Sequence, residues 1–474
     1  MRILMVGMFM WLIPAVVAQE NPWKERVADA VAGAQGACSE ALDVCWRADA
    51  WQEAVSLAKR AEPLAKTDAE RAAIARAYWR SGRYKDAERV AAMISKDTRD
   101  RLALRVLLLI ASARDGREAT LELARRLESI GLQDATDFAL VATVRLAENE
   151  LKGIADLARQ ILKHANADNG YPESMLMETA EGLPEFLAGA GERPLNHVVS
   201  YGEVPMPPVP MFNLPYVDAT INGHGPYRFI VDTGGSVTFS IDREVAEEAG
   251  LKKLSGGSIR GVSGTQESAY MVLDDLRIGP IQLQRVMVTA FDFPDMMKGA
   301  IGGIIGTGIF HEGRMTMNFA EGRFALRESS AKPGPGVDVD VRIVSDSKLV
   351  ALCGIGGHEG LALFDTGADA VALSQECLER VAVEQSGYTV SSSVAMGVGD
   401  GEGGGAITLN IAADLEIAGR KFEDMGVVGL SVLDDTLGPF IGAQCDLLVG
   451  MGIYREMKTL TVDFPRRKMW VDWR

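Results

Sequence analysis

Residues 227–240 read YRFIVDTGGSVTFS, and residues 360–374 read GLALFDTGADAVALS. In both stretches an apolar run of strand length ends in Asp-Thr-Gly and is followed by small, β-prone residues. One Asp-Thr-Gly is a common turn sequence, because aspartate and glycine both favour turns. Two copies in the same setting indicate a pair of acidic loops, and they make Asp232 and Asp365 the candidate catalytic residues.

Three further elements follow each copy in the same order. The first half continues with GVSGTQ, GGIIGTGIF and MTMNFAEGRFAL, which begin at Gly261, Gly302 and Met315. The second half continues with GVGDGEG, CDLLVGMGIY and LTVDFPRRKMWV, which begin at Gly397, Cys445 and Leu460. Four ordered matches are hard to obtain by chance, so this region is predicted to consist of two lobes built from short strands and glycine-rich turns.

The two-lobed pattern resembles the retropepsin-like and pepsin-like aspartic proteases from Met211 to the C terminus. The string DTGADAVAL of the second copy is especially similar to the retroviral form. The resemblance implies a bilobal all-β protease fold in which each lobe supplies one catalytic aspartate and a hairpin flap closes over a polypeptide substrate. It implies no cofactor.

The chemistry explains why two copies are needed. Carboxyl groups about 3 Å apart do not both ionise easily, so the pair shares one proton over a wide pH range. The ionised member then takes a proton from the attacking water, and the protonated member donates to the developing oxyanion.

The resemblance also assigns roles to residues around the two aspartates. Thr233 and Thr366 are expected to hydrogen-bond across the lobe interface, while Gly234 and Gly367 let the backbone approach the carboxyl groups. The candidates for substrate binding are Asp369 and the flap-tip residues Gly261, Val262, Ser263, Gly397, Val398 and Gly399. The flap-tip segments are also compatible with ordinary surface hairpins.

The residue after each tripeptide departs from the pepsin pattern. Many pepsin-like enzymes have a Ser or Thr there, whose hydroxyl lowers the pKa of the carboxyl group, whereas this chain has Gly235 and Ala368. We therefore expect a working pH nearer neutral than that of digestive pepsins.

The N-terminal part has a different composition. It is rich in Ala, Leu, Arg and Glu with apolar residues at helical spacing, which predicts an all-α domain. Similar sets at 54–58, 87–91, 120–124 and 154–158 recur every 33 or 34 residues and resemble tetratricopeptide-type repeats. Two interpretations stay open: a surface that recruits a protein partner, and an irregular helical domain that packs on the catalytic part or is inert during chemistry.

The expected boundaries follow from these changes and from two Pro- and Gly-rich stretches. They are a signal peptide at 1–18, a helical domain at 19–190, a Pro-rich linker at 191–210, a first protease lobe at 211–330, a linker at 331–336 and a second lobe at 337–474.

The N terminus has the pattern of an export signal. Arg2, an apolar run over 3–17 and Ala18 fit a basic region, an apolar region and a cleavage site, and the run is shorter than the roughly 20 residues that span a bilayer. We expect cleavage after Ala18 and a periplasmic rather than secreted protein, with membrane attachment only if the segment is retained.

Composition argues against several other functions. A formal charge of -16 is unfavourable for nucleic-acid binding. The five histidines show no ligand spacing, so no metal site is expected. Neither a Gly-x-Ser-x-Gly elbow nor a phosphate-binding Gly-x-x-x-x-Gly-Lys-Ser/Thr loop occurs.

Five cysteines are an odd number, so complete intramolecular pairing is impossible. Cys38 and Cys45 would be about 10.5 Å apart on one continuous helix, too far for a disulfide. Two of Cys353, Cys377 and Cys445 could pair.

Two functional classes fit the sequence. The first is an aspartic endopeptidase that acts on exported or envelope proteins, which the two intact Asp-Thr-Gly copies favour. The alternative is a catalytically inactive scaffold that binds proteins through its helical repeats.

Overall fold

The computed structural model describes residues 4–5, 24–36, 38–48, 50–164, 182–209, 213–235, 239–261, 264–295, 297–344, 347–384, 388–396, 405–430 and 433–474. The chain divides into two compact units. The helical unit comprises Val16–Pro184 with Gly438–Gln444, and the β unit comprises Met1–Ala15, Glu185–Leu437 and Cys445–Arg474.

The helical unit confirms the predicted all-α N-terminal region. Its α-helices are α1 (Val27–Gly33), α2 (Ser39–Ala48), α3 (Trp51–Ala61), α4 (Asp68–Arg80), α5 (Tyr84–Ala91), α6 (Arg101–Arg114), α7 (Arg117–Ser129), α8 (Ala135–Ala147) and α9 (Ile154–His164). Short 3₁₀ turns cover Lys24–Arg26 and Glu62–Leu64. The unit also holds Gly438–Gln444, where Arg80 donates to the Gly438 carbonyl at 3.0 Å.

Side-chain caps mark the starts of α4, α6 and α8. Thr67 and Glu70 form a capping box at the start of α4, and Asp100 and Asp134 accept backbone N–H groups at the starts of α6 and α8.

Consecutive helices contact each other as pairs, α2 with α3, α4 with α5, α6 with α7 and α8 with α9. The recurring sets fall on the second helix of each pair, where Ala54, Ala87, Thr120 and Ile154 are buried. Small buried residues at these points allow close helix approach. The tetratricopeptide-type identity of the pairs stays a prediction.

The β unit begins with β1 (Leu4–Met5). The strands of the first lobe are β2 (His197–Ser200), β3 (Gly202–Pro205), β4 (Tyr216–Ile221), β5 (His224–Asp232), β6 (Phe239–Asp242), β7 (Ser255–Gly261), β8 (Gly264–Ile278), β9 (Ile281–Phe291), β10 (Gly303–Gly306), β11 (Gly313–Asn318) and β12 (Arg323–Glu328). Its helices are α10 (Leu183–Ala190), α11 (Arg243–Glu248) and the 3₁₀ turn Thr307–Phe310.

The second lobe repeats this series. Its strands are β13 (Val337–Val339), β14 (Val341–Val344), β15 (Lys348–Ile355), β16 (His358–Phe364), β17 (Ala372–Leu373), β18 (Tyr388–Met396), β19 (Gly405–Ile417), β20 (Arg420–Gly429), β21 (Leu447–Val449), β22 (Met457–Asp463) and β23 (Lys468–Trp473). Its α-helices are α12 (Gln375–Glu384), α13 (Gly438–Ile441, which groups with the helical unit) and α14 (Met451–Tyr454), with a π-helical turn at Leu433–Leu437.

Each lobe contains a closed ring of strands. In the first lobe the ring runs β9-β6-β10-β5-β4-β8 and closes by the β8–β9 pairing. In the second it runs β20-β17-β21-β16-β15-β19 and closes by the β19–β20 pairing. Corresponding pairs have the same direction, for example β5 with β10 and β16 with β21, which are both parallel. The predicted bilobal all-β fold is therefore confirmed as two barrels of one topology.

A third sheet joins the lobes. Its order is β13-β23-β22-β11-β12-β3, so strands of each lobe form one half. At its centre Thr316 pairs with Thr461, and their hydroxyl oxygens lie 3.2 Å apart. Arg314 also reaches the buried carboxylate of Asp463 across this seam, with Nε 2.8 Å from Oδ2. The last sequence repeat of each half thus forms the hairpin that couples the two lobes.

The segment expected as a linker at 191–210 differs from that expectation. Within it β2 pairs with β9 and β3 pairs with β12, so both strands belong to the β unit. Pro205 is tolerated because β3 is the edge strand of the joining sheet, where a missing N–H leaves no partner unpaired. The helical unit also ends earlier than 190, since the β unit resumes at Glu185 and the Phe186 ring of α10 lies 5.7 Å from the Tyr270 ring of β8.

All five cysteines are buried and free. None of the helices in the described ranges is both long enough and apolar enough to cross a bilayer.

Candidate active site

The two aspartates occupy equivalent ends of buried strands. Asp232 is the last residue of β5 and pairs in register with Gly306 of β10. Asp365 directly follows β16, and its N–H donates to the Val449 carbonyl of β21 at 3.0 Å. The residues before them are buried because each strand lies between two neighbours within its barrel. The two carboxyl groups therefore extend from equivalent positions of the two barrels.

A reciprocal hydrogen-bond network joins the two loops. The Thr233 N–H donates to Thr366 Oγ1 and the Thr366 N–H donates to Thr233 Oγ1, each at 3.0 Å. Each hydroxyl then donates into the opposite lobe, Thr233 to the Phe364 carbonyl at 2.8 Å and Thr366 to the Val231 carbonyl at 2.7 Å. Both threonines are completely buried, so water does not compete for these bonds.

The glycines of the two tripeptides lie against the opposite aspartates. A Cβ added to Gly234 would lie 2.5 Å from Asp365 Oδ1, and one added to Gly367 would lie 2.6 Å from Asp232 Cγ. Any side chain at either position would collide with a carboxyl group. The geometry thus brings the loops of the two lobes into direct contact around Asp232 and Asp365.

Burial changes the ionisation of the pair. Desolvation raises the pKa of Asp232 and raises that of Asp365 well above its usual value. The negative charge of Asp232 raises the pKa of Asp365 further, so the pair retains a proton to higher pH than an isolated carboxyl group does. Within the described ranges, Asp232 Oδ1 and Asp365 Oδ2 are buried oxygens without a hydrogen-bond partner. The Gly367 N–H donates to Asp365 Oδ1 at 2.7 Å.

Two further residues contribute to this site that the motifs did not single out. Lys348 opens β15, is completely buried, and its Nζ donates to the Gly235 carbonyl. Tyr454 of α14 is also buried near the dyad, and burial together with the charges of the aspartates raises its pKa. A lysine at the start of an otherwise apolar strand is the sequence signal for the first. Tyr454 has no comparable signal.

The apolar-apolar-Gly elements form the wall behind the aspartates. They lie in β10 and β21, which pair with β5 and β16. A Cβ on Gly450 would lie 2.7 Å from the carbonyl carbon of Ala370, so the backbone packs there without room for a side chain.

Both lobes carry the hairpins that the glycine-rich segments predicted. In the first, β7 and β8 pair up to Gly261 and Gly264, while Val262 and Ser263 lie outside the described residues. In the second, β18 and β19 pair up to Val394 and Gly405, and the candidates Gly397, Val398 and Gly399 also lie outside them.

Asp369 lies four residues after Asp365 and is partly exposed. Its Oδ1 is 2.7 Å from Arg455 Nη2, in an ion pair with both side chains partly accessible to solvent. Its other carboxylate oxygen has no hydrogen-bond partner in this ion pair. In the described ranges, no group of three or more Asp, Glu, His or Cys side chains could hold a metal ion.

Comparisons with known proteins agree with this geometry. Residues 217–309, which include Asp232, match the family model described as aspartyl protease. A retropepsin-like aspartic protease from Rickettsia conorii is similar at 18% identity, over 27% of this chain and 90% of that chain, with a TM-score of 0.20, which is too low to carry an argument. No curated protein matches the chain significantly. The first lobe of the β unit therefore matches an aspartyl protease family model over residues 217–309, and the second lobe repeats the topology of the first.

Proposed function

We propose that this protein is an aspartic endopeptidase that hydrolyses peptide bonds with water activated between Asp232 and Asp365. The observation that carries the proposal is the reciprocal network of Thr233 and Thr366, which locks two Asp-Thr-Gly loops together at the lobe interface. A rigid pair of carboxyl groups is what general acid and base catalysis by one shared proton requires.

In this mechanism the water is held by Asp232 Oδ1 and Asp365 Oδ2, both of which are buried without a protein partner among the described residues. Ionised Asp232 takes a proton from the water as the water oxygen attacks the scissile carbonyl carbon. Protonated Asp365 donates its proton to the carbonyl oxygen, giving a tetrahedral diol. Asp232 then gives its proton to the amide nitrogen while ionised Asp365 takes a proton back from one diol hydroxyl, so the C–N bond breaks to leave an amine and a carboxylic acid.

The substrate is proposed to bind as an extended strand below the hairpins β7–β8 and β18–β19. Main-chain hydrogen bonds to an extended peptide give affinity with little dependence on sequence, and side-chain pockets give preference. The partly exposed carboxylate of Asp369 is suited to accept a main-chain N–H of that peptide.

The physiological substrate is proposed to be an exported or envelope protein, because the N-terminal segment has the pattern of an export signal. Cell fractionation tests the location: recovery of the processed chain in the cytoplasm would contradict export. The alternative function is a catalytically inactive scaffold that binds proteins through the helical unit. The two intact aspartates favour the enzyme.

The first experiment is cleavage of a random peptide library by residues 19–474 from pH 3 to 8, beside Asp232→Asn and Asp365→Asn. We expect cleavage by the wild type and loss of cleavage in both variants, since each removes one carboxyl group while keeping its shape. The optimum is expected near neutral, because burial raises the pKa of both groups. No cleavage by the folded wild type would favour the scaffold, and an optimum below about 4 would contradict the raised pKa values.

The role of the helical unit needs a separate test. A chain truncated before Glu185 keeps residues 185–190 of α10 together with β2 and β3, which belong to the β unit. If the helical unit delivers one protein, the folded truncated chain should still cleave peptides and should lose cleavage of that protein. Loss of neither activity would argue against delivery.

A further inference from the structure

A buried lysine connects the two lobes directly behind the dyad. Lys348 is the first residue of β15 in the second lobe, and its Nζ donates to the carbonyl of Gly235 in the first. Gly235 follows the first Asp-Thr-Gly, and its own N–H donates to the main-chain carbonyl of Asp232 at 3.2 Å. Lys348 thus anchors the main chain of the loop that carries Asp232.

The second lobe satisfies the equivalent carbonyl in another way. Ala368 occupies the position of Gly235 after the second Asp-Thr-Gly, and its carbonyl accepts the backbone N–H of Met451 at 2.7 Å. A neutral donor serves one loop and an ammonium group serves the other. The barrels share one topology, but the surroundings of their aspartates differ in charge.

Strand register identifies the counterpart of Lys348 in the first lobe. Tyr216 pairs with the residue two before Asp232, and Val350 pairs with the residue two before Asp365. Counting back two residues from each places Leu214 at the position of Lys348. Leu214 is also completely buried, so an apolar side chain is compatible with this position in the barrel. Packing alone therefore does not call for a lysine.

Charge balance gives a reason for the lysine. A buried ammonium group is costly unless an opposite charge and acceptors surround it. A dyad that holds one proton carries one negative charge, which one lysine neutralises. The charge of Lys348 lowers the pKa of both aspartates against the effect of burial. The other titratable neighbour, Tyr454 of α14, is kept neutral by its raised pKa.

We propose that Lys348 is a positioning residue, which anchors the Gly235 carbonyl and balances the single negative charge of the dyad. This inference rests on the proposed protease function for its kinetic consequences. Its charge-balance part also has consequences for stability that need no activity.

The kinetic test compares Lys348→Met, Lys348→Gln and Lys348→Arg in the full chain. A nearby positive charge lowers a carboxyl pKa by about one unit or more. Without the lysine, both the acidic and the basic side of the kcat-against-pH curve should therefore shift to higher pH by about that amount. We expect this shift for Met and Gln, with kcat reduced more than KM is changed. Lys348→Arg keeps the positive charge, so its kcat-against-pH curve should match that of the wild type. Leu214→Met, an apolar change at the equivalent position, should leave the profile unchanged.

An unmoved profile in Lys348→Gln, which retains a donor for the carbonyl but no charge, would overturn the charge role. The charge role would also be overturned if the pH profile of Lys348→Arg shifted as far as that of Lys348→Gln. If the methionine variant does not fold, the comparison of Gln with Arg still decides.

A stability measurement separates failure of this inference from failure of the proposed function. Without Lys348 the dyad should bind its protons to higher pH in the folded state, so the melting temperature should fall more steeply from pH 4 to 8 than in the wild type. The gap between wild type and Lys348→Gln is therefore expected to widen with pH. A constant gap would overturn the inference, whether or not the wild type cleaves peptides. A widening gap without cleavage would support it while refuting the protease.

Discussion

Removing the hydroxyl of Thr366 should cost both stability and catalysis. Thr366→Val keeps the shape of the side chain but deletes the oxygen that accepts from the Thr233 N–H at 3.0 Å and donates to the Val231 carbonyl at 2.7 Å. Both main-chain groups would remain buried without a partner. At about 1 to 3 kcal/mol for each unsatisfied group, the free energy of unfolding should fall by about 2 to 6 kcal/mol.

The matched control is Thr366→Ser, which keeps the hydroxyl and loses one buried methyl group at about 1 kcal/mol. Thr233→Val should behave like Thr366→Val, because its hydroxyl makes the mirror-related bonds to the Thr366 N–H and the Phe364 carbonyl. Loosened loops should also lower kcat by about 100-fold, since small displacements of reacting groups are costly.

The assay is urea unfolding of the β-sheet signal, together with peptide cleavage at the optimal pH. The reasoning is refuted if Thr366→Val unfolds within about 1 kcal/mol of Thr366→Ser and cleaves peptides at the same rate. Such a result would mean that the cross-lobe bonds are not what positions the two carboxyl groups.

Three other predictions follow from the site. Gly367→Ala should lower kcat/KM by at least about 100-fold, because the added Cβ would collide with Asp232. The control is Gly426→Ala, which has nothing within 4 Å of the added Cβ and should cleave peptides normally. Equal activities of the two variants would contradict this prediction. Asp365→Asn should melt higher than wild type at pH 7 but not at pH 3. The pKa of Asp365 is higher in the folded than in the unfolded chain, where it is 3.8. The stability that this carboxyl group contributes is therefore fully present below pH 3.8 and is lost as the pH rises toward the folded pKa. A difference in melting temperature that does not depend on pH would count against this prediction. Asp369→Asn should raise KM while changing stability by at most about 1 kcal/mol, because its ion pair with Arg455 is partly exposed, and an unchanged KM would exclude a role in substrate binding.

Much of the fold was predictable because its signals are local. Apolar runs that end at Asp232 and Asp365 indicate buried strands followed by tight loops, and the ordered repeats show that the two halves share one fold. The helical region was equally clear, because apolar residues at helical spacing are a signal that acts within one or two turns.

The linker prediction failed for a physical reason. Prolines at 205–210 argue against a helix and against a central strand, but they do not exclude an edge strand. Whether β3 finds a partner depends on β12, which lies far away in sequence and pairs with it only in the folded β unit. Composition at one segment does not contain that information.

The sequence by itself determined that there are two aspartate loops, which strands carry them, and that a helical region precedes them. Tertiary structure alone decided how the loops meet: the crossed bonds of Thr233 and Thr366, the packing of each glycine on the opposite aspartate, and the reach of Lys348 across the lobes to Gly235. Local patterns arise from the preferences of neighbouring residues. Contacts between residues more than one hundred positions apart arise only when both barrels have closed and packed, so the charge and rigidity of the dyad are properties of the assembled β unit.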